Sequence, residues 1–207
     1  LPLPLISLRV DYGERIALLG YNGVGKSTLL RTLTGEIEPL SGSVSIGRAL
    51  RIGNLMQEHE SLPRDKTPRD HIAAITHLER FAAGSRVISY GLTIHQVDSP
   101  ISQLNPGARA RLLLATFSIR NVNVLILDEP TNHLDEEAVR ELISSLDTYS
   151  GTVIVVSHSR DFLNALRLTR TYHLSQQGLQ EVESVESFVE ELEEVVEEVV
   201  HTSFGDG

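Results

Sequence analysis

Apolar residues along this chain come in short, often β-branched runs, separated by stretches where they recur every three or four positions. That alternation predicts strands and helices in turn, and hence an α/β fold around a parallel sheet. Ile6–Val10 and Arg15–Leu19 read as strands joined by a tight turn at Asp11-Tyr12-Gly13. Val44–Ile46 and Arg51–Met56 read as further short strands, so small antiparallel strands are expected in the N-terminal part. Lys26–Thr34 reads as a helix closed by Gly35. The character then changes. Thr67-Pro68-Arg69-Asp70 supplies an N-cap, a proline at the first helical position and an acid at the third. Ile72, Ile75, Leu78 and Phe81–Ala82 follow at helical spacing, and residues from about 60 to 121 are expected to form a mostly helical subdomain inserted into the sheet. Val122–Leu127 and Thr152–Val156 have the continuous apolar character of strands buried on both faces. Helices at 136–147 and 160–167 follow them, with Asp135 and Ser159 as N-caps.

Composition narrows the class. The 207 residues are 41% apolar and 22% charged, close to the globular average, so wholesale disorder is excluded. No uncharged run of about 18 apolar residues exists, so direct membrane insertion is not expected. Leu1-Pro2-Leu3-Pro4-Leu5 lacks the basic start and cleavage site of a signal peptide. The chain has no cysteine, hence neither disulfides nor thiolate metal sites. A cytoplasmic location is the expectation. Charge is placed unevenly: residues 1–180 balance 18 basic with 18 acidic side chains, whereas 181–207 carry 10 acidic and no basic ones and account for the net charge of −10. Composition alone offers no basic footprint for nucleic acid. The division expected is one domain over 1–180 and an acidic C-terminal helix and tail over 181–207.

Two stretches carry chemistry. Gly20-Tyr21-Asn22-Gly23-Val24-Gly25-Lys26-Ser27 fits G-x-x-x-x-G-K-[ST] between a predicted strand and a predicted helix. Its glycines let backbone N–H groups close around a phosphate chain, while the helix that follows points its positive end at it. Lys26 is placed to reach the β- and γ-phosphates, and the Ser27 hydroxyl to ligate Mg²⁺. Val124-Leu125-Ile126-Leu127-Asp128-Glu129 is a buried strand ending in two acids, at the sheet edge where α/β proteins bind ligands. Asp128 is the candidate for holding the metal through water, and Glu129 for orienting and deprotonating the attacking water.

With those residues in place, Asp128-Glu129-Pro130-Thr131-Asn132-His133-Leu134-Asp135 resembles the Walker B and D-loop run of the ATP-binding cassette (ABC) ATPases. Its Pro-Thr-Asn-His-Leu-Asp wording resembles the ABC-F branch, twin-cassette proteins many of which act on the ribosome. The resemblance covers about residues 5 to 190. It implies a P-loop NTPase core, ATP and Mg²⁺ as cofactors, ATP hydrolysis, and a second cassette as partner, in the same longer chain or as a homodimer. Gln57 stands where the family has its Q-loop glutamine, and His158, after Val153–Val156 and Ser157, where it has the switch histidine that contacts the γ-phosphate. The candidate nucleotide contacts are thus Gly20, Tyr21, Asn22, Gly23, Val24, Gly25, Lys26, Ser27, Thr28 and Gln57, joined from the neighbouring cassette by Asn105 and Gly107. Glu129, His158 and Lys26 are the catalytic candidates, and Ser27, Gln57 and Asp128 the metal candidates.

Three features depart from the family or stand outside it. Leu104-Asn105-Pro106-Gly107-Ala108 occupies the place of the family's Leu-Ser-Gly-Gly-Gln signature loop, which clasps the nucleotide of the opposite cassette. Asn105 replaces the donating serine, though its amide still carries donors, and Pro106 removes a backbone N–H. The aromatic residue on which the family stacks adenine has no counterpart: Tyr12 lies in the wrong turn, and the chain reads as an excerpt of a longer polypeptide or a cassette with a clipped first strand. In the tail, Ser187-Phe188-Val189-Glu190 has capping-box form, and Val182, Val185, Val189, Leu192, Val196 and Val199 follow a 3-4-3-4-3 spacing. That helix either docks on its own cassette or meets a partner. Three functions remain open at this point: an ABC-F-like ATPase acting at the ribosome, the nucleotide-binding subunit of an ABC transporter, and a regulatory ATP-binding module whose altered loop impairs hydrolysis.

Overall fold

A computed structural model describes residues 5–55, 62–132 and 134–187. Its frame is a six-stranded sheet in the order β2-β3-β4-β1-β5-β6, made of β1 (Arg15–Leu19), β2 (Ile52–Asn54), β3 (Val124–Asp128), β4 (Thr152–Val156), β5 (Arg170–Ser175) and β6 (Gly178–Val182). The first five run parallel, and β6 alone pairs antiparallel with β5. Alternate residues of the central strands enter two different cores. Ile16, Leu18, Val124, Ile126, Ile154 and Val156 pack on one side, with Leu29 and Leu30 of α1 (Lys26–Leu33) over them. Ala17, Leu19, Leu125, Leu127, Val153 and Val155 face the other side. Burial on both faces is why these strands read as unbroken apolar runs.

That second side is covered by the helical part of the chain: α2 (Pro68–Thr76), α3 (Arg80–Ile88), α4 (Ile94–Asp98), a 3₁₀ turn at Ile101–Gln103 and α5 (Pro106–Ile119). Leu112, Leu113 and Phe117 of α5 are at most 1% exposed, so this helix spans the core rather than lying on it. Local signals start several of these helices. The Thr67 hydroxyl accepts from Asp70 N ahead of Pro68, and Thr93 with Gln96 forms a capping box. Helices α6 (Glu136–Asp147) and α7 (Arg160–Ala165) begin where Asp135 and Ser159 cap them and carry the crossovers after β3 and β4.

The strand expectations need correction. Among the described residues Ile6–Val10 and Val44–Ile46 join no strand, so the small antiparallel element is not N-terminal. Ile6, Leu8 and Val10 are half-buried against the α1 side of the sheet while their neighbours are exposed, a strand's alternation without a ladder partner. The antiparallel pair sits instead at β5–β6. Val182 closes β6, so the spacing expected to start a tail helix there begins in a strand. The capping box and most of that spacing fall at 188–199, outside the described residues.

Sheet order places the site. From the middle of the sheet, the chain leaves β1 through α1 toward the β2 edge, and leaves β4 through α7 toward β5. Connections that diverge this way open a crevice at the carboxyl ends of β1 and β4.

Candidate functional site

Residues 20–25 bridge β1 and α1 at that crevice, and their glycines have a measurable reason. Gly20, Gly23 and Gly25 have φ of 146°, 79° and 111°, a region L side chains rarely enter. A Cβ on Gly20 would also stand 2.5 Å from the carbonyl oxygen of Leu174 on β5. The loop therefore lies hard against the sheet edge, and α1 starts from Gly25 with no side-chain cap and no acid in its first turn. Its first N–H groups stay available to an anion. Ser27 and Thr28 are exposed beside them.

Lys26 is 8% exposed and folds back into the loop, its Nζ donating to Gly20 O at 2.6 Å and Tyr21 O at 3.0 Å. Burial holds its ammonium below the ordinary lysine range, and the charges of Glu129 and then Asp128 pull it partly back. Those two acids end β3. Asp128 is paired in register with Val156, and Glu129 takes the left-handed conformation at φ 49° while its N–H donates to Val156 O at 2.8 Å. A carboxylate residue bent out of the strand in this way aims across the crevice rather than along the sheet. There it meets His158. His158 Nε2 lies 3.3 Å from Glu129 Oε1 and 2.9 Å from Asn22 Oδ1, and the His158 N–H donates to Glu129 Oε2 at 3.4 Å. With two oxygen acceptors facing it, Nε2 carries the hydrogen.

The Gly20–Ser27 loop, the strand-end acids and His158 are thus brought together at one crevice. The link through Asn22 was not anticipated, since the two residues are 136 positions apart and each is polar and exposed. Gln57 and His133 lie outside the described residues. The Leu104–Ala108 loop stands apart: among the described residues no hydrogen bond or ion pair joins it to Gly20–Ser27, Asp128, Glu129 or His158. It forms the start of α5, where Asn105 Oδ1 accepts from Ala108 N at 2.8 Å and Pro106 takes the first helical position. A support behind it also escaped the sequence reading. A Cβ on Gly107 would fall 1.3 Å from Glu141 Oε2 of α6, and Glu141 Oε1 pairs with Arg111 Nη1 at 3.2 Å.

Residues 3–132 match the family model described as ABC transporter. The chain belongs to that family. Among curated relatives of this ABC chain, the ribosome protection protein VmlR of Bacillus subtilis is 38% identical over 74% of the chain and 28% of its own length. ABC transporter F family member 4 of Arabidopsis thaliana is 36% identical over 74% of the chain and 22% of its own length. The chain spans less than a third of the length of the curated relatives it matches. Among solved structures, the cassette MJ0796, described as a dimer in a post-hydrolysis state bound to ADP and Pi, superposes with a TM-score of 0.67 at 21% identity over 87% of this chain and 89% of that one. At that identity the likeness establishes the fold, a mixed α/β cassette. No helix of the described residues is long and apolar enough to cross a membrane.

Proposed function

We propose that this ABC cassette binds Mg-ATP in the crevice and hydrolyses it when closed against a second cassette, and that the full protein works at the ribosome in the manner of the ABC-F relatives. The observation that carries the hydrolytic reading is the convergence of His158 on both Glu129 and Asn22 beside the phosphate loop. On this reading Lys26 exchanges the carbonyls of Gly20 and Tyr21 for phosphate oxygens, and the N–H groups of Gly20–Thr28 hold the rest of the chain of phosphates. Glu129 takes the proton of the attacking water, and His158 leaves Asn22 for the γ-phosphate. The metal fits the donor set. Ser27 at the start of α1 and Asp128 at the end of β3 offer oxygens from separate elements, and no group of three or more His, Cys, Asp or Glu among the described residues forms a cage of its own. That suits an ion shared between protein and phosphates. Bound there, Mg²⁺ would neutralise charge on the phosphates and hold them in line.

The pairing rests on the loop at Leu104–Ala108. On this reading Asn105 and Gly107, which among the described residues no hydrogen bond or ion pair joins to their own phosphate loop, serve a neighbour's nucleotide, and the dimeric state described for MJ0796 supports such pairing. The ribosome protection role of the relative VmlR supports the ribosome as partner. A calorimetric titration tests the site: Lys26→Ala is expected to weaken Mg-ATP binding at least tenfold, and unchanged affinity would remove the assignment. Light scattering tests pairing: Glu129→Gln is expected to trap ATP and a two-cassette species. If that variant instead hydrolyses ATP as fast as the parent, the regulatory-module reading replaces this one.

A further inference from the structure

The end of α5 remote from the nucleotide crevice opens onto a surface with a different charge from the rest of the protein. A cavity of about 640 Å³ lies between α2, α3 and the last turn of α5, with Thr76, Leu78, Ser85, Arg86, Ser118 and Asn121 in its lining. Arg86 is exposed. Phe81 is 81% exposed and precedes Ser85 by one helical turn, so ring and hydroxyl share a face of α3. Two more guanidinium groups stand along the adjoining edge of the sheet. Arg51 Nη1 donates to the carbonyl of Arg120, the residue next to Asn121, at 3.1 Å. Asn123 fixes this edge, accepting from Arg51 N at 2.9 Å and donating through Nδ2 to Ala49 O at 2.9 Å, one residue from the exposed Arg48.

Carboxylates are sparse among the described residues here. The stretches 39–55, 80–90 and 117–124, which supply most of this surface, hold five arginines (Arg48, Arg51, Arg80, Arg86 and Arg120) and no Asp or Glu. The adjacent carboxylate, Glu79, caps the start of α3 about two turns from Arg86. Asp70 is occupied by Arg80 at 2.7 Å. Among the described residues no carboxylate pairs with Arg48, Arg51 or Arg86. The balanced charge of residues 1–180 thus conceals a one-signed patch.

We propose that this face, Arg48, Arg51 and Arg86 with the Ser85–Asn121 cavity and Phe81, binds the phosphate backbone of single-stranded or looped RNA. Guanidinium groups flanked by hydroxyl and amide donors match phosphate oxygens, and an exposed aromatic ring offers a base a stacking surface. The choice of RNA over other polyanions rests on the ribosome reading above. An acidic peptide is the competing occupant, the chain's own tail included. The last described residues before that tail adjoin β6, at the opposite edge of the sheet from β2, about five strand spacings or 24 Å across. That is the span the tail would have to cross, and the polyglutamate competition below decides the case. RNA held here would leave the nucleotide crevice open, because the cavity lies before the amino end of β3 whereas the crevice lies at the carboxyl ends of the strands.

The test uses the full chain, a fluorescein-labelled 20-nucleotide oligouridylate and fluorescence anisotropy without ATP. The parent is expected to bind in the micromolar range at low salt. The triple variant Arg48→Gln, Arg51→Gln, Arg86→Gln should bind at least tenfold more weakly, with the slope of log affinity against log salt reduced by about 2, as loss of three single-strand phosphate contacts requires. Ser85→Glu, which gives up one exposed hydrogen bond from the Ser85 hydroxyl to Phe81 O and places a carboxylate in the cavity, should weaken binding in the same direction. Lys26→Ala should leave it unchanged, which separates failure of this proposal from failure of the nucleotide site. An absent signal, an unaffected triple variant or loss of binding in Lys26→Ala overturns the proposal. So does a 20-residue polyglutamate that displaces the RNA at equal concentration, which would mark an acidic-peptide site.

Discussion

Gly107→Ala probes the support of the signature-type loop, and its cost can be worked from the geometry. An ideal Cβ at this position lies 1.3 Å from Glu141 Oε2, 2.5 Å from Glu141 Cδ and 3.0 Å from Glu141 Cβ. The carboxylate must swing away, and the Arg111–Glu141 pair at 3.2 Å must part. Both side chains are largely covered, 17% and 25% exposed. Breaking a fully buried pair costs about 3–5 kcal/mol, and partial solvent access reduces that to roughly 2. Alanine's helix propensity returns at most about 1 kcal/mol. A net loss of about 1–2 kcal/mol corresponds to a fall in Tm of roughly 2–8 °C for a chain of this size. Thermal unfolding followed by circular dichroism reads this directly. In a Glu141→Ala background the nearest of these atoms left is Cβ at 3.0 Å, which yields by a few tenths of an ångström, so the cost should vanish or change sign. Equal losses in both backgrounds would refute the account, because the carboxylate would then not be the obstacle.

Two further outcomes follow from the same coordinates. Gly20→Ala should lower stability by about 2–3 kcal/mol and weaken Mg-ATP binding together, since its Cβ would press on Leu174 O at 2.5 Å with φ at 146°; an unaltered melting curve would contradict the close approach. Asn105→Ser with Pro106→Gly should raise ATP turnover severalfold at unchanged ATP affinity, because the helix start regains an N–H and single donors to developing charge are worth on the order of 10²–10³ in rate. The more flexible glycine should cost about 1 kcal/mol of stability, and a variant no faster than the parent would show that the loop is either competent already or never engaged.

What could be read ahead of the coordinates, and what could not, divides along a physical line. Thr152–Val156 and Glu136–Asp147 fall where apolar runs and caps put them, because burial on both faces and side-chain capping are local in the chain. The Gly20–Gly25 loop is equally local, six residues between β1 and α1 whose glycines state their own backbone requirement. Alternation at Ile6, Leu8 and Val10 reports half-burial correctly yet says nothing about a ladder partner, so the expected N-terminal strands do not appear. Conversely β5 and β6 went unnoticed, since Arg170 breaks the apolar pattern. That arginine is stabilised from a distance, bridging Glu181 at 3.0 Å and Glu14 at 3.4 Å while lying over the Tyr172 ring. Asn22 and His158 show the same limit within the site: each is an ordinary polar residue until the fold closes 136 positions between them.

Charge shows the limit most sharply. A net charge of −10 is a sum over the chain, and it is governed by ten carboxylates after residue 180. A binding field is instead a property of one surface, and it decays over about 8 Å at physiological ionic strength. Acid-free stretches around Arg48, Arg86 and Arg120 are scattered over some seventy positions of sequence, and only the packing of α3 and α5 against the β2 edge collects them. Net charge therefore says little about the β2 side, where Arg48, Arg51 and Arg86 stand without a paired carboxylate among the described residues.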